Sequence, residues 1–188
     1  VKTEDHVLSV RCYKAEHMPK MDVTEHCDPY VKASFGSSGE RKTKYIKNTA
    51  SPVWNQKIVL PYTSPTMSDI VKVQLIDFDQ GPNPDDTIAT AYFRLSELLH
   101  PDNRVKWSTP RWVNFYGTPN EVNDMTPGAG KMNKGEIPGI SYRGRVLMAF
   151  EDEIDHCSED IQADPIDIPP MNSDPSTINY TLRVDLYE

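Results

Sequence analysis

An eight-stranded antiparallel β-sandwich with an acidic C-terminal extension is the fold class the sequence predicts, and three observations predict it. Polar and apolar residues alternate with period two in eight short runs rich in β-branched and aromatic side chains, near 7–15, 29–36, 41–47, 54–61, 70–77, 87–94, 111–116 and 141–151. Prolines fall between or at the edges of these runs, among them Pro19, Pro29, Pro52, Pro82 and Pro84, where a missing N–H breaks no ladder. Helical periodicity is confined to LSELLH at 95–100, enough for a turn or two. A chain of 188 residues buries one such core with a segment to spare.

Taken in order, VLSVRCY enters a loop that carries Asp22 and Asp28. The second run, DPYVKASF, follows directly. In the third run Lys42, Lys44 and Lys47 project from an alternating strand with Arg41 beside them, and lysines two apart share a face. The fourth run contains Trp54, expected in the core together with Trp112; Trp107 is expected at the surface. The fifth, VKVQLID, opens into a loop bearing Asp77, Asp79, Asp85 and Asp86. Strands one, three, five and seven all run toward the aspartate end, so the connection 117–140 lies there too, and both termini leave from the opposite end. That connection is rich in Gly and Pro and too long for a hairpin; it carries Met125, Lys131, Met132, Lys134 and Ile137. It reads either as a slack insert or as an additional membrane-facing loop. Residues 1–151 form the domain, 152–177 an acidic linker with four prolines, and 178–188 a strand-like segment.

The net charge of −8 is unevenly placed. Residues 1–150 carry 19 Lys and Arg against 17 Asp and Glu, whereas 151–188 carry one Arg against eleven acids. The body is therefore slightly cationic, and distinctly so once its aspartate cluster is neutralised, which favours anionic membranes. No apolar run approaches the roughly 18 residues of a membrane span, so membrane contact is expected to be peripheral. Three cysteines without a framework point to a reducing compartment. No nucleophile elbow, phosphate-binding glycine loop or metal-spaced histidines appear, so an enzyme is not expected, and nothing favours nucleic acid.

The aspartates carry the chemistry. Carboxylates two apart at the mouth of a strand cannot both turn into a core, and a cluster drawn from two loops suits a hard cation. Ca²⁺ takes about six to eight oxygens and tolerates irregular geometry.

The strings DPYVKASF, RKTKYIKNTASPVWN and VQLIDFD resemble a C2 domain across about residues 6–95. Further on, PRWVNFYGTP and GISYRGRVLMAFE resemble a ferlin, a multi-C2 membrane-fusion and membrane-repair protein, and most closely its third C2 domain. The resemblance implies a C2 fold of type II topology. It implies Ca²⁺ held by Asp22, Asp28, Asp77, Asp79 and Asp86, with Asp85 competing for the fifth place and main-chain carbonyls near Met21 and Phe78 completing the shell. Asp28 and Asp79 would bridge two ions. Met18, Met21 and Val23 are the apolar candidates for insertion into lipid. Lys42, Lys44 and Lys47 with Tyr30 resemble a phosphoinositide-binding patch, and Lys131 and Lys134 add a second basic contact. The function implied is Ca²⁺-dependent binding of anionic phospholipid, phosphatidylserine and phosphoinositide, in vesicle trafficking at the cytoplasmic face of membranes. Residues 178–188 would open the next domain, neighbouring ferlin domains would be partners, and a C-terminal transmembrane helix, absent from this stretch, would anchor the parent protein. The alternative is a Ca²⁺-insensitive protein-interaction scaffold.

Overall fold

The computed structural model describes residues 2–21, 26–80, 85–119 and 128–154. Met125, most of the acidic linker and the strand-like segment 178–188 lie outside them. Eight strands, β1 (Glu4–Glu16), β2 (Pro29–Phe35), β3 (Glu40–Lys42), β4 (Val53–Ser64), β5 (Ile70–Asp77), β6 (Asp86–Arg94), β7 (Arg111–Gly117) and β8 (Ser141–Ile154), form two four-stranded sheets. Their orders are β4-β1-β8-β7 and β3-β2-β5-β6, and every pairing is antiparallel. The first strand leads into the aspartate loop and the YRGR strand comes last, which is the type II arrangement the resemblance implies.

The core follows the period-two pattern. Leu8, Val10 and Cys12 of β1 lie beside Val146, Met148 and Phe150 of β8 and face the inward set Val31, Ala33, Phe35, Val71, Val73 and Leu75 of the other sheet. Trp54 is buried there as expected, its indole N–H donating to the Pro29 carbonyl at 3.0 Å. Trp112 is not in this core. It sits half-buried on the outer face of the first sheet over Tyr13, Leu147 and Ala149, between Lys14 and the Arg145 guanidinium, 5.2 and 4.3 Å from its ring. A Trp on the solvent side of a strand alternates just as an inward one does, so periodicity alone does not assign its side.

Helix is richer than the sequence predicts. Beyond α1 (Leu95–Leu98) lies α2 (Pro101–Ser108), which has Pro at its start and no fully buried residue, so no apolar stripe announces it. Trp107, expected at the surface, reaches inward from α2 and packs edge-on against Phe93 and Phe150. A short α3 (Ala129–Asn133) occupies the β7–β8 connection. The third strand is shorter than expected: β3 ends at Lys42, so Lys44 and Lys47 follow it rather than project from it. The path nonetheless stays beside β2, with the Thr43 N–H donating to the Val31 carbonyl and that of Ile46 to Pro29.

Candidate calcium and lipid site

Antiparallel pairing brings the β1–β2, β3–β4 and β5–β6 loops to one end of the sandwich. The end of β1 lies beside the start of β8, Glu16 opposite Arg145, so the β7–β8 connection lies at that end as well.

Asp28 and Asp77 meet where β2 begins and β5 ends, Pro29 being the cross-strand partner of Asp77. Asp77 is 3% exposed, and its Oδ1 accepts the Asp28 N–H at 2.6 Å. The Phe78 N–H donates to the Asp28 carbonyl at 3.1 Å. Asp79 and Asp85 meet across the turn, the Asp79 N–H donating to Asp85 Oδ1 at 3.2 Å. Asp86 is the first residue of β6 and stands opposite Asp77, where cross-strand partners share a face. Both contenders for the fifth ligand thus adjoin the cluster, Asp85 through Asp79 and Asp86 through Asp77. Asp22 and Val23 lie outside the described residues. Among the described residues no three His, Cys, Asp or Glu side chains are grouped as a ready metal site; the carboxylates of Asp28, Asp77 and Asp85 instead accept from loop amides. The donor set is hard oxygen throughout, which fits Ca²⁺.

Two supporting residues escape sequence reasoning. Asn48, with a left-handed φ of 49°, donates its N–H to Asp28 Oδ1 at 2.7 Å and accepts the His26 N–H on its side-chain oxygen at 2.9 Å. Asn tolerates that conformation and pairs with backbone; the turn string KNTASP is the signal that would have marked it. Tyr45 stacks on Phe78 with ring centroids 4.2 Å apart, tying the β3–β4 loop to the β5–β6 loop. Beneath the aspartates Cys27 is buried and free. Burial, reinforced by the charges of Asp77 and Asp28, pushes its thiol up to about 12, so it stays protonated and inert.

Two of the apolar candidates of the first loop, Met18 and Met21, turn inward. Met18 is only 5% exposed and belongs to the core cluster, its sulfur close under Gly144. Met21 is half-buried against the same core, with its sulfur accepting from Arg143 Nη2 at 3.0 Å. Both side chains turn under the loop because the end of the sandwich offers them apolar surface.

On the outer face of the second sheet Lys42 Nζ lies over the Tyr30 ring, 4.9 Å from its centroid. The Tyr30 hydroxyl donates to Asp85 Oδ2 at 2.7 Å; burial and then this carboxylate hold its pKa well above the usual phenol value. Lys44 and Lys47 are exposed, whereas Thr43 between Lys42 and Lys44 turns inward to accept the Val31 N–H. Lys131 and Lys134 are exposed on and just after α3.

A two-sheet sandwich with an aspartate-lined end is the build of a C2 domain, and the C2 domain family model matches residues 6–109: the chain belongs to that family. Within it, the chain is similar to ferlins. It is 25% identical to mouse myoferlin over 84% of this chain and 9% of that protein, and 27% identical to mouse Fer-1-like protein 4 over 78% of this chain and 8% of that one. The chain therefore spans about a tenth of the length of these relatives. Among solved structures, a C2 domain of plant extended synaptotagmin 1 superposes with a TM-score of 0.54 at 14% identity, over 79% of this chain and 94% of that one. A calcium-bound structure of two C2 domains of extended synaptotagmin 2 gives 0.53 at 18% identity, over 79% of this chain and 45% of that one. These two establish the fold. Among the described residues no helix is long and apolar enough to cross a membrane.

Proposed function

We propose that this domain binds Ca²⁺ and, so loaded, docks on anionic phospholipid at the cytoplasmic face of membranes, as one module of a ferlin-type protein of membrane fusion, repair and vesicle traffic. The observation that carries the reading is the convergence of Asp28, Asp77, Asp79, Asp85 and Asp86 from two loops at one end of the sandwich. Carboxylates carried on two loops at one end of the sandwich can close on a divalent cation, which would remove negative charge from the surface that would meet a membrane. Asp28, Asp77, Asp79 and Asp86, with Asp22, would hold the ion, and the carbonyls of Met21 and Phe78 would extend the shell. When bound, Ca²⁺ supplies charge and a coordination point for phosphate oxygens. The chain's own residues fix where that point sits: Asn48 sets the rotamer of Asp28, and the Asp28 N–H sets that of Asp77.

Phosphatidylserine headgroups would meet this end, and Lys42, Lys44 and Lys47 would hold phosphoinositide on the adjoining face, with Lys131 and Lys134 as a further basic contact. Each Lys acts as a point charge on phosphate, so binding is expected to weaken with salt. Neighbouring domains of the parent protein, anchored by a transmembrane helix elsewhere in its chain, would be further partners.

A Ca²⁺-insensitive scaffold is the second reading. It is favoured by the backbone N–H donors already met by Asp28, Asp77 and Asp85, which hold the loops in shape without an ion. Calorimetric titration of Ca²⁺ with and without phosphatidylserine vesicles separates the two. Saturable binding that tightens with vesicles supports the first, and no heat at millimolar Ca²⁺ leaves the scaffold.

A further inference from the structure

The β7–β8 connection carries an apolar surface for which the calcium loops give no reason. Of eleven large hydrophobic side chains exposed on the described residues, four lie on this connection and the strand ends that flank it: Tyr116 at 46%, Ile137 at 37%, Ile140 at 69% and Tyr142 at 41%. Tyr116 and Tyr142 are direct cross-strand partners with rings 6.2 Å apart. The Ile140 N–H donates to the Gly117 carbonyl at 2.9 Å, extending the ladder one step past Ser141, so Ile140 emerges beside the tyrosine pair. His17, at the end of β1, meets the Tyr142 hydroxyl at 3.2 Å, which places the patch at the same end as the aspartate loops.

Such exposure would mean little in a slack segment, but residues 128–140 are fastened. The side-chain oxygen of buried Asn133 accepts the Thr118 N–H at 2.8 Å, and its carbonyl accepts from the Thr90 hydroxyl at 2.7 Å. Gly139 lies so close to β7 that an added Cβ would stand 2.5 Å from the Tyr116 carbonyl carbon. The scaffold therefore holds the aliphatic side chains in solvent, where each costs hydration free energy unless something covers it. What covers it is indicated by the charges alongside: residues 128–140 carry Lys131 and Lys134, both exposed, and a single acid, Glu136. Aliphatic tips with tyrosines behind them and lysines at the rim match the layering of a bilayer interface, hydrocarbon, then the aromatic belt, then phosphate.

We propose that Tyr116, Ile137, Ile140 and Tyr142 form a lip that inserts into the interfacial layer of an anionic bilayer beside the aspartate loops, with Lys131 and Lys134 on the headgroup phosphates. The choice of a membrane rests on the function proposed above; the apolar contribution itself requires no Ca²⁺. The lip supplies the insertion that buried Met18 and Met21 do not.

The test is co-sedimentation with phosphatidylcholine vesicles containing phosphatidylserine, in Ca²⁺ and in EGTA, with the Ca²⁺-induced rise in melting temperature read separately without lipid. Ile137→Ser with Ile140→Ser should lose roughly tenfold in vesicle affinity, the order expected when two half-exposed isoleucines no longer leave water, while the lipid-free Ca²⁺ response persists. Ile140→Trp should show a blue-shifted emission on adding vesicles, which keeps the proposal testable if the serine pair folds poorly. Serine variants that bind as the wild type does, or an Ile140→Trp emission that vesicles leave unmoved, would overturn the lip. A wild type that self-associates through this patch, with dimer lost in the serine pair and vesicle affinity intact, would also overturn it. Lip-dependent vesicle binding that survives in EGTA, with no Ca²⁺ response in melting, would uphold the lip and refute the calcium reading alone.

Discussion

Replacing Asp77 separates the structural work of the aspartate cluster from its ionic work. Asp77 is nearly sealed from solvent and accepts the Asp28 N–H at 2.6 Å where β2 begins. Asparagine keeps an acceptor oxygen and drops the charge; alanine removes both. A hydrogen bond to a charged group contributes about 1.5–3 kcal/mol and a neutral one about 0.5–1.5. Asp77→Asn should therefore cost about 1 kcal/mol without metal, and relief of repulsion from the neighbouring carboxylates offsets part of that. Asp77→Ala strands the part-buried Asp28 N–H and should cost about 1–3 kcal/mol. Each kcal/mol moves the Tm of a domain of about 150 residues by about 2–4 °C, so in EGTA the alanine variant should melt clearly below the asparagine variant. Ca²⁺ at a hundred times its Kd stabilises the wild type by about 2.7 kcal/mol, or roughly 5–11 °C, and both variants should lose that rise. Calorimetric melting in EGTA and in millimolar Ca²⁺ measures all of it. A full Ca²⁺ response in Asp77→Asn would refute Asp77 as a ligand, equal melting of the two variants in EGTA would refute the role of its hydrogen bond, and an unresponsive wild type would refute the calcium reading itself.

Lys42→Ala with Lys44→Ala should weaken binding to phosphoinositide vesicles more than to vesicles with phosphatidylserine alone, because a polyvalent headgroup gains more from clustered charge; equal losses in flotation assays would reduce the patch to generic attraction. Gly139→Ala should destabilise the domain by about 1–3 kcal/mol, as overpacking does, since its Cβ would collide with the β7 backbone; unchanged denaturant unfolding would contradict the packing described. Glu16 accepts from both Arg145 and Lys14, and although burial opposes it, these partners hold its carboxyl below the usual value. A depressed folded pKa stabilises above the unfolded value near 4.3 and loses that contribution as pH falls through the folded one. Glu16→Gln should accordingly cost about 1 kcal/mol at pH 7, with the wild-type and variant melting curves converging below about pH 4.

The sandwich was legible in the sequence, because period-two alternation and turn residues are local signals that each strand writes for itself; its strand order was legible only through the resemblance of its motifs to a C2 domain. DPYV and LIDFD carried the candidate site for the same reason: carboxylates at the mouths of adjacent strands meet once the strands pair. What tertiary structure alone decided is which apolar residue faces which way. Met18, Met21 and Trp112 have no local signature separating core from surface or one sheet face from the other, and the first two turned under the loop while the third turned out between two cations. α2 was hidden because a helix with no fully buried residue shows no apolar stripe. Asn48 and Tyr45 became parts of the site only through contacts across other loops. The exposure of Ile140 likewise depends on Asn133 and Gly139 fastening its segment to β6 and β7, a long-range fit that no window of neighbouring residues encodes.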